Sequence, residues 1–247
     1  MYFLAKKNPH KRDKYILFDE PTHVYTIKGD SNYCSVTQFN KKHFEEFDAD
    51  KIIENMMNSK YWKQNKYYGM TPTEIKDSWE KNRISASSAG TKLHYDIECY
   101  YNNIFNKNDS IEFKYFKDFV IATKDLVPYR TEWMIWDEEL KLAGSIDMVY
   151  QNPDGSLMIY DWKRSKEIVQ RNRWEKYSST PCLSHIPDTN FWHYALQLNT
   201  YKAIIERNYG KKVSSLSLVC LHPNHDGYQI IKVPDLQKEV YELFKNV

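Results

Sequence analysis

The sequence predicts an α/β fold in which one mixed β-sheet is flanked by helices, and three observations carry that expectation. Up to about residue 124 the apolar residues recur mainly at three- and four-residue spacing, whereas beyond Pro128 they alternate with polar ones; these are the periods of a helix face and of a strand. Two turn-forming tracts, Asp137-Glu138-Glu139 and Asn152-Pro153-Asp154-Gly155, divide the alternating region into three consecutive strands, the pattern of an antiparallel meander. A helical stretch from Phe191 to Gly210 then separates the meander from a last pair of strands, with no internal repeat anywhere in the chain. The pattern alone leaves an α+β arrangement of the same elements open.

Taken in order, Tyr15 to Tyr33 reads as short strands broken by Glu20-Pro21-Thr22-His23 and by the tract around Gly29, a hairpin-like start. Val36 to Lys60 turns helical, with Phe44, Phe47, Ile52, Ile53 and Met56 supplying its apolar positions. In the aromatic and polar stretch from Tyr61 to Asn82, Thr71 or Thr73 is placed to cap a short helix. A separate long helix is expected from about Ser85 to Asn102, and another over Ile111 to Lys124. Arg164 to Asn190 shows no period and contains Pro181 and Pro187, so it reads as a long loop, and loops of that length in a compact domain are usually functional or mobile. Gly210 ends the helix that follows, Val213 to Pro223 and Tyr228 to Pro234 form the last strands, and Pro234 opens a closing helix.

Composition narrows the partners. A net charge of +2 argues against an all-over basic coat for nucleic acid. Local clusters remain, in Lys6 to Lys14 and in the run that holds Arg164, Lys166, Arg171 and Arg173, and either could meet phosphates. No apolar run approaches the ~20 residues that span a bilayer, and the start lacks the apolar core of a secretory signal, so an intracellular protein without a membrane partner is expected. Cys34, Cys99, Cys182 and Cys220 are scattered with no CxxC pair, the pattern of buried free thiols. Cys220, His222 and His225 suggest zinc, but no fourth ligand accompanies them. The aromatic residues Tyr61, Trp62, Tyr67, Tyr68, Trp174 and Trp192 are expected mostly in the core, with any exposed member near the long loop available to stack on unpaired bases.

The most informative stretch is Gly144 to Ser165, in which Asp147 interrupts one apolar run and Asp161-Trp162-Lys163 ends the next. Antiparallel pairing across the Asn152–Gly155 turn brings Asp147 and Asp161 to one end of the sheet, where two carboxylates suit a hard cation such as Mg²⁺. Strand alternation puts Lys163 on the face of Asp161. There an ammonium can orient a water or neutralise a phosphate. Trp162 points the other way, into the core, and leaves its backbone carbonyl near the site as a possible ligand. An edge-strand ion pair would explain Asp161 and Lys163, but it leaves Asp147 buried without a reason.

Gly144-Ser145-Ile146-Asp147 followed by Asp161-Trp162-Lys163 resembles the signature of the PD-(D/E)XK nuclease superfamily. Gly90 and His94 in Ala-Gly-Thr-Lys-Leu-His resemble the Gly-x-x-x-His helix of its RecB-like members, and Gln197 and Tyr201 resemble their Gln-x-x-x-Tyr motif. All these motifs occur in the family's order between Gly90 and Tyr201, and the tract Thr22 to Phe39 is similar to the start of phage and viral exonucleases of this type. The resemblance implies a restriction-endonuclease-like core over residues 84–247, with residues 1–83 as an N-terminal hairpin and helical elaboration packed on it. It implies that His94, Asp147 and Asp161 bind one or two Mg²⁺ or Mn²⁺ ions, that Lys163 serves the attacking water, and that Gln197 and Tyr201 steady Lys163 or the DNA backbone. Glu132 matches a glutamate found upstream in such proteins, and Glu98, one turn after His94, could support the histidine. Arg164, Lys166, Arg171, Arg173 and Trp174 are candidate DNA contacts.

The late cysteine triplet of the iron-sulfur members is missing, so no such cluster is expected, and without a Walker motif any helicase or recombination protein would be a separate partner. The expected activity is a deoxyribonuclease acting as an exonuclease on single-stranded or frayed DNA ends, in the cytoplasm or at a site of viral or phage DNA replication. The alternatives are a structure- or sequence-specific endonuclease of the same superfamily and an inactive nucleic-acid-binding or helicase-partner subunit.

Overall fold

The computed structural model describes residues 2–171 and 175–246 and has the expected α/β architecture. Helix α1 (Phe3–Lys7) leads into β1 (Ile16–Asp19) and β2 (Val24–Ile27), which pair antiparallel as a small separate sheet. That hairpin packs through Ile16, Tyr25 and Ile27 onto Trp136 and Ala143 of the main sheet. Among the described residues the main sheet has six strands: β3 (Cys34–Ser35), β4 (Val127–Asp137), β5 (Leu142–Gln151), β6 (Leu157–Lys163), β7 (Val213–Cys220) and β8 (Gln229–Lys232). β4, β5 and β6 form the antiparallel meander, β7 joins β6 in parallel, and β8 returns antiparallel on β7.

Helices cover both faces. On one side α2 (Val36–Lys41), α6 (Asn190–Asn208) and α7 (Gln237–Phe244) bury Val36, Leu196, Ile204 and Leu243 with Leu142, Ile159 and Leu218 of the sheet. On the other, α4 (Pro72–Tyr101) and α5 (Ile111–Ala122) bury Leu93, Ile97, Phe116 and Phe119 with Met148, Tyr150 and Trp162. Each such side chain removed from water contributes roughly 1.5–3 kcal/mol, and the stacked faces together fix the sheet between two helical layers. Alternation along β6 therefore sends Leu157, Ile159 and Asp161 toward α6 and Trp162 toward α4 and α5.

The outer edge of β4 is covered by the N-terminal segment. Asn8 Nδ2 donates to the Tyr129 carbonyl at 2.8 Å, and Arg12 donates to the Trp136 carbonyl at 2.8 Å while its guanidinium lies 3.5 Å over the Trp136 ring. Carbonyls that would otherwise invite another strand are thereby occupied.

Three expectations are corrected. Val36 to Lys60 is not one helical stretch, because α3 (Ala49–Met57) starts afresh after a connector: Asp48 caps it by accepting from Lys51 N–H at 3.0 Å. Phe47 falls in that connector rather than in an apolar stripe, and it is 70% exposed. The short helix capped by Thr71 and the helix expected from Ser85 are one 30-residue helix, α4. Thr71 and Glu74 form a reciprocal capping box with Pro72 in the first turn. No proline or glycine interrupts the chain between Pro72 and Gly90, so nothing ends the helix. Its middle, Lys81 to Ser88, is exposed on all sides. The segment after Lys163 is a long connection as expected and, among its described residues, holds a short 3-10 turn at Pro181–Leu183 and a bridge between Tyr177 and Pro187. The closing helix begins at Gln237 rather than at Pro234.

Candidate active site

The site sits where β5 and β6 part. Their ladder runs from Gln151↔Leu157 to Met148↔Tyr160 and stops there, while the other end of β5 pairs with β3 through Leu142 and Ala143. Asp147 and Asp161 are the first residues past the last pair. Asp147 takes over the missing ladder contact: its Oδ2 accepts the Trp162 backbone N–H at 2.9 Å. The next free group of β6, the Trp162 carbonyl, lies 2.8 Å from His94 Nε2 of α4. With Nε2 as donor, Nδ1 carries the lone pair, and it faces Asp147 Oδ2 at 3.5 Å.

Glu132 enters from β4, between the pairs Thr131↔Met148 and Trp133↔Ile146, and therefore opposite Asp147. Its backbone adopts φ 42°, left-handed and strained for a glutamate, which is the kind of conformation kept where it serves a site. Ser145 Oγ donates to its carboxylate at 2.9 Å. Ligand atoms of His94, Glu132 and Asp147 all lie within 4.8 Å of one another. Burial, and then the charge of Asp147, push the Glu132 carboxyl up to about 8. These groups accordingly hold more negative charge than their own surroundings stabilise. An imidazole nitrogen with two carboxylate oxygens could hold a divalent metal ion such as Mn²⁺ or Mg²⁺, whose charge would supply what is missing.

Asp161 is the buried neighbour of this group, 4% exposed. Lys163 Nζ stands 2.6 Å from its Oδ2, an ion pair by distance rather than an aligned hydrogen bond. Burial pushes the Asp161 carboxyl up to about 6 against the pull of Lys163, with Asp147 adding to the rise. For Lys163 burial works in the lowering direction, but Asp161 and Asp147 outweigh it and hold the ammonium up to about 12. Lys163 is therefore a fixed cation at neutral pH.

Helix α6 backs the site. Gly144 is required where α6 meets β5, since a Cβ there would lie 2.7 Å from Tyr201 Cε1 in a ring that is itself buried. Gln197 Nε2 donates to Tyr201 Oη at 3.1 Å and to Thr37 Oγ1 at 2.9 Å, tying α6 to α2. Lys163 Nζ lies 4.4 Å from the centroid of Tyr194. Tyr194 was not singled out from the sequence, although its place one turn before Gln197 puts both on one helix face.

The remaining candidates are more dispersed. Glu98 is partly buried and close enough to Glu132 to help raise its carboxyl, while both ring nitrogens of His94 are directed at Trp162 and Asp147. Arg164 is paired with Glu112 at 2.6 Å, whereas Lys166 and Arg171 are exposed on the connection after β6. Arg173 and Trp174 lie outside the described residues. Cys220 Sγ donates to the Ser165 carbonyl at 3.1 Å and His225 Nε2 to the Lys166 carbonyl at 2.8 Å, so these two residues fasten the start of that connection. No helix among the described residues is long and apolar enough to cross a membrane.

A solved structure of the protein SSO0001 is similar over 88% of this chain and 75% of its own, at 13% identity and a TM-score of 0.35. A candidate exonuclease from Eubacterium rectale is similar over 87% of this chain and 78% of its own, at 12% identity and a TM-score of 0.39. No curated protein matches. The family description "PD-(D/E)XK nuclease superfamily" matches residues 62–246, which include every member of the cluster at the strand fork. The chain belongs to the PD-(D/E)XK nuclease superfamily.

Proposed function

We propose that the chain is a divalent-metal-dependent deoxyribonuclease that hydrolyses phosphodiester bonds, acting as an exonuclease on single-stranded or frayed DNA ends. The observation that carries the proposal is the convergence at one strand fork of His94, Glu132 and Asp147 with the Asp161–Lys163 pair. His94 and Asp147, with Glu132 and Asp161 beside them, would hold one or two Mg²⁺ or Mn²⁺ ions. When bound, such an ion activates water and stabilises the charge that builds on the transferring phosphate.

The chain's own groups do the rest. Water attacks phosphorus in line, the bond from phosphorus to the leaving sugar oxygen breaks, and the leaving strand departs with a hydroxyl end. The Lys163 ammonium, fixed by Asp161 and Tyr194, faces the scissile phosphate and offsets its charge. The Trp162 carbonyl orients the His94 ring, while Gln197 and Tyr201 keep α6 seated on β5. Lys166 and Arg171 supply exposed positive charge for the DNA backbone.

End-labelled linear, single-stranded and circular DNA incubated with Mg²⁺ or Mn²⁺ tests the reading. Progressive loss of nucleotides from linear and single-stranded substrates is expected, with circular duplex left intact. Cleavage of the circle would instead make the chain an endonuclease. DNA binding without turnover on any substrate would make it a binding subunit, working with a separate helicase or recombination protein.

A further inference from the structure

Beside the catalytic groups lies a cleft of about 650 Å³, one wall formed by His193, Tyr194 and Gln197 of α6 and the other by the connector and helix that hold Phe44, Phe47 and Ile52. It adjoins the site through two of its lining residues, since Tyr194 carries Lys163 on its ring and Gln197 bonds Tyr201. Its size is within the range of small-ligand pockets.

The charge lining this cleft is not that of a phosphate track. Glu45, Glu46, Asp48 and Asp188 face Lys41, Lys51 and Lys176, a formal excess of one negative charge (four against three). Lys176, on the connection after β6, is paired with Glu45 at 2.8 Å. With Asp188 paired to His193 as well, the charges largely offset one another and offer phosphate no net attraction, whereas the amino and ring N–H groups of a nucleobase would find carboxylate and amide acceptors. The cleft also presents Phe47, a large apolar ring that is 70% exposed, with its centroid 5.8 Å from that of Trp79. An exposed aromatic on the wall of a cleft beside such a site is a platform for an unpaired base, since every base has a face that stacks.

We infer that this cleft is a base-binding pocket that takes one unpaired nucleobase of the substrate next to the scissile phosphate, with Phe47 as its stacking residue. The inference rests on the nuclease reading and deepens it: a base seated on Phe47 has left its partner strand, so the pocket favours strands that are single or frayed at the point of cleavage.

The test uses the full chain with Phe47→Ala, Phe47→Leu and Phe47→Trp. Leucine keeps an apolar contact with Trp79 but has no stacking face, so a merely structural role would tolerate it. For single-stranded DNA, KM is expected to rise roughly tenfold in the alanine and leucine variants, with the loss on KM rather than kcat, and to recover with tryptophan. A series of oligonucleotides each lacking one base should show a similar loss at a single position for the natural chain and none there for Phe47→Ala. Leucine behaving like phenylalanine, or no base position mattering, overturns the pocket. The same variants and oligonucleotides, fluorescein-labelled, are also compared by anisotropy in Ca²⁺ without turnover. A natural chain that binds through Phe47 yet cleaves nothing keeps the pocket and removes the nuclease reading, whereas cleavage that is indifferent to Phe47 does the reverse.

Discussion

The Trp162 backbone N–H donates to the Asp147 carboxylate at 2.9 Å across the point where β5 and β6 separate. A side chain replaces a carbonyl in the ladder, so the sheet stays closed behind the fork while the carboxylates in front of it converge. This contact allows a partly buried aspartate in an apolar strand, because a carboxylate that accepts a backbone N–H is no longer uncompensated there.

Loss of the ion pair should abolish chemistry before it abolishes binding. Asp161→Asn or Lys163→Met is expected to lower the cleavage rate roughly 10³-fold, with DNA affinity in Ca²⁺ nearly unchanged. Single-turnover rates alongside anisotropy titrations read both quantities, and full activity in either purified variant would remove Lys163 and Asp161 from the mechanism.

Metal removal provides a second check. A chelator should stop turnover, and Mn²⁺ or Mg²⁺ should restore it. His94→Ala and Glu132→Gln should each weaken Mn²⁺ binding by at least ~10-fold, as measured by calorimetry. Unaltered Mn²⁺ affinity in both variants would place the ion elsewhere.

Stability of the metal-free protein should depend on pH in a direction opposite to that of most carboxylates. Glu132, raised to about 8 by burial and by Asp147, keeps its proton in the folded chain after the unfolded chain has released it near 4.5. The stability this confers is complete below the unfolded value and is lost as pH rises through about 8. Asp161, raised to about 6 by burial, adds to the loss over its own range. Thermal melting without metal should therefore weaken from pH 5 to pH 8. The trend should flatten in Glu132→Gln and reverse with Mn²⁺, whose binding displaces the proton. A melting temperature that rises with pH in the metal-free natural chain would contradict this.

Packing at the helix–strand contact predicts a fourth result. Gly144→Ala should cost about 1–3 kcal/mol by forcing a methyl into the buried Tyr201 ring. Tyr201→Phe removes only the hydroxyl that accepts from Gln197 and should cost about 1 kcal/mol. Urea denaturation of both variants measures the difference, and a Gly144→Ala variant as stable as the parent would show that the ring moves aside freely.

The sequence by itself determined the meander, the turn that brings Asp147 opposite Asp161, and the side of β6 that Lys163 shares with Asp161. These are matters of period two and of turn chemistry, which act over a few residues. The order of motifs from Gly90 to Tyr201 was also legible in the chain. Only the tertiary structure decided that Glu132 stands with His94 and Asp147, because its place depends on a strained residue in β4 lying across from Asp147, and no local pattern encodes that strain. The seating of Lys163 on Tyr194 and the exposure of Phe47 likewise came from packing between elements distant in sequence. Phe47 has the spacing of a core residue, but Asp48 restarts the helix immediately after it and leaves the ring outside the core.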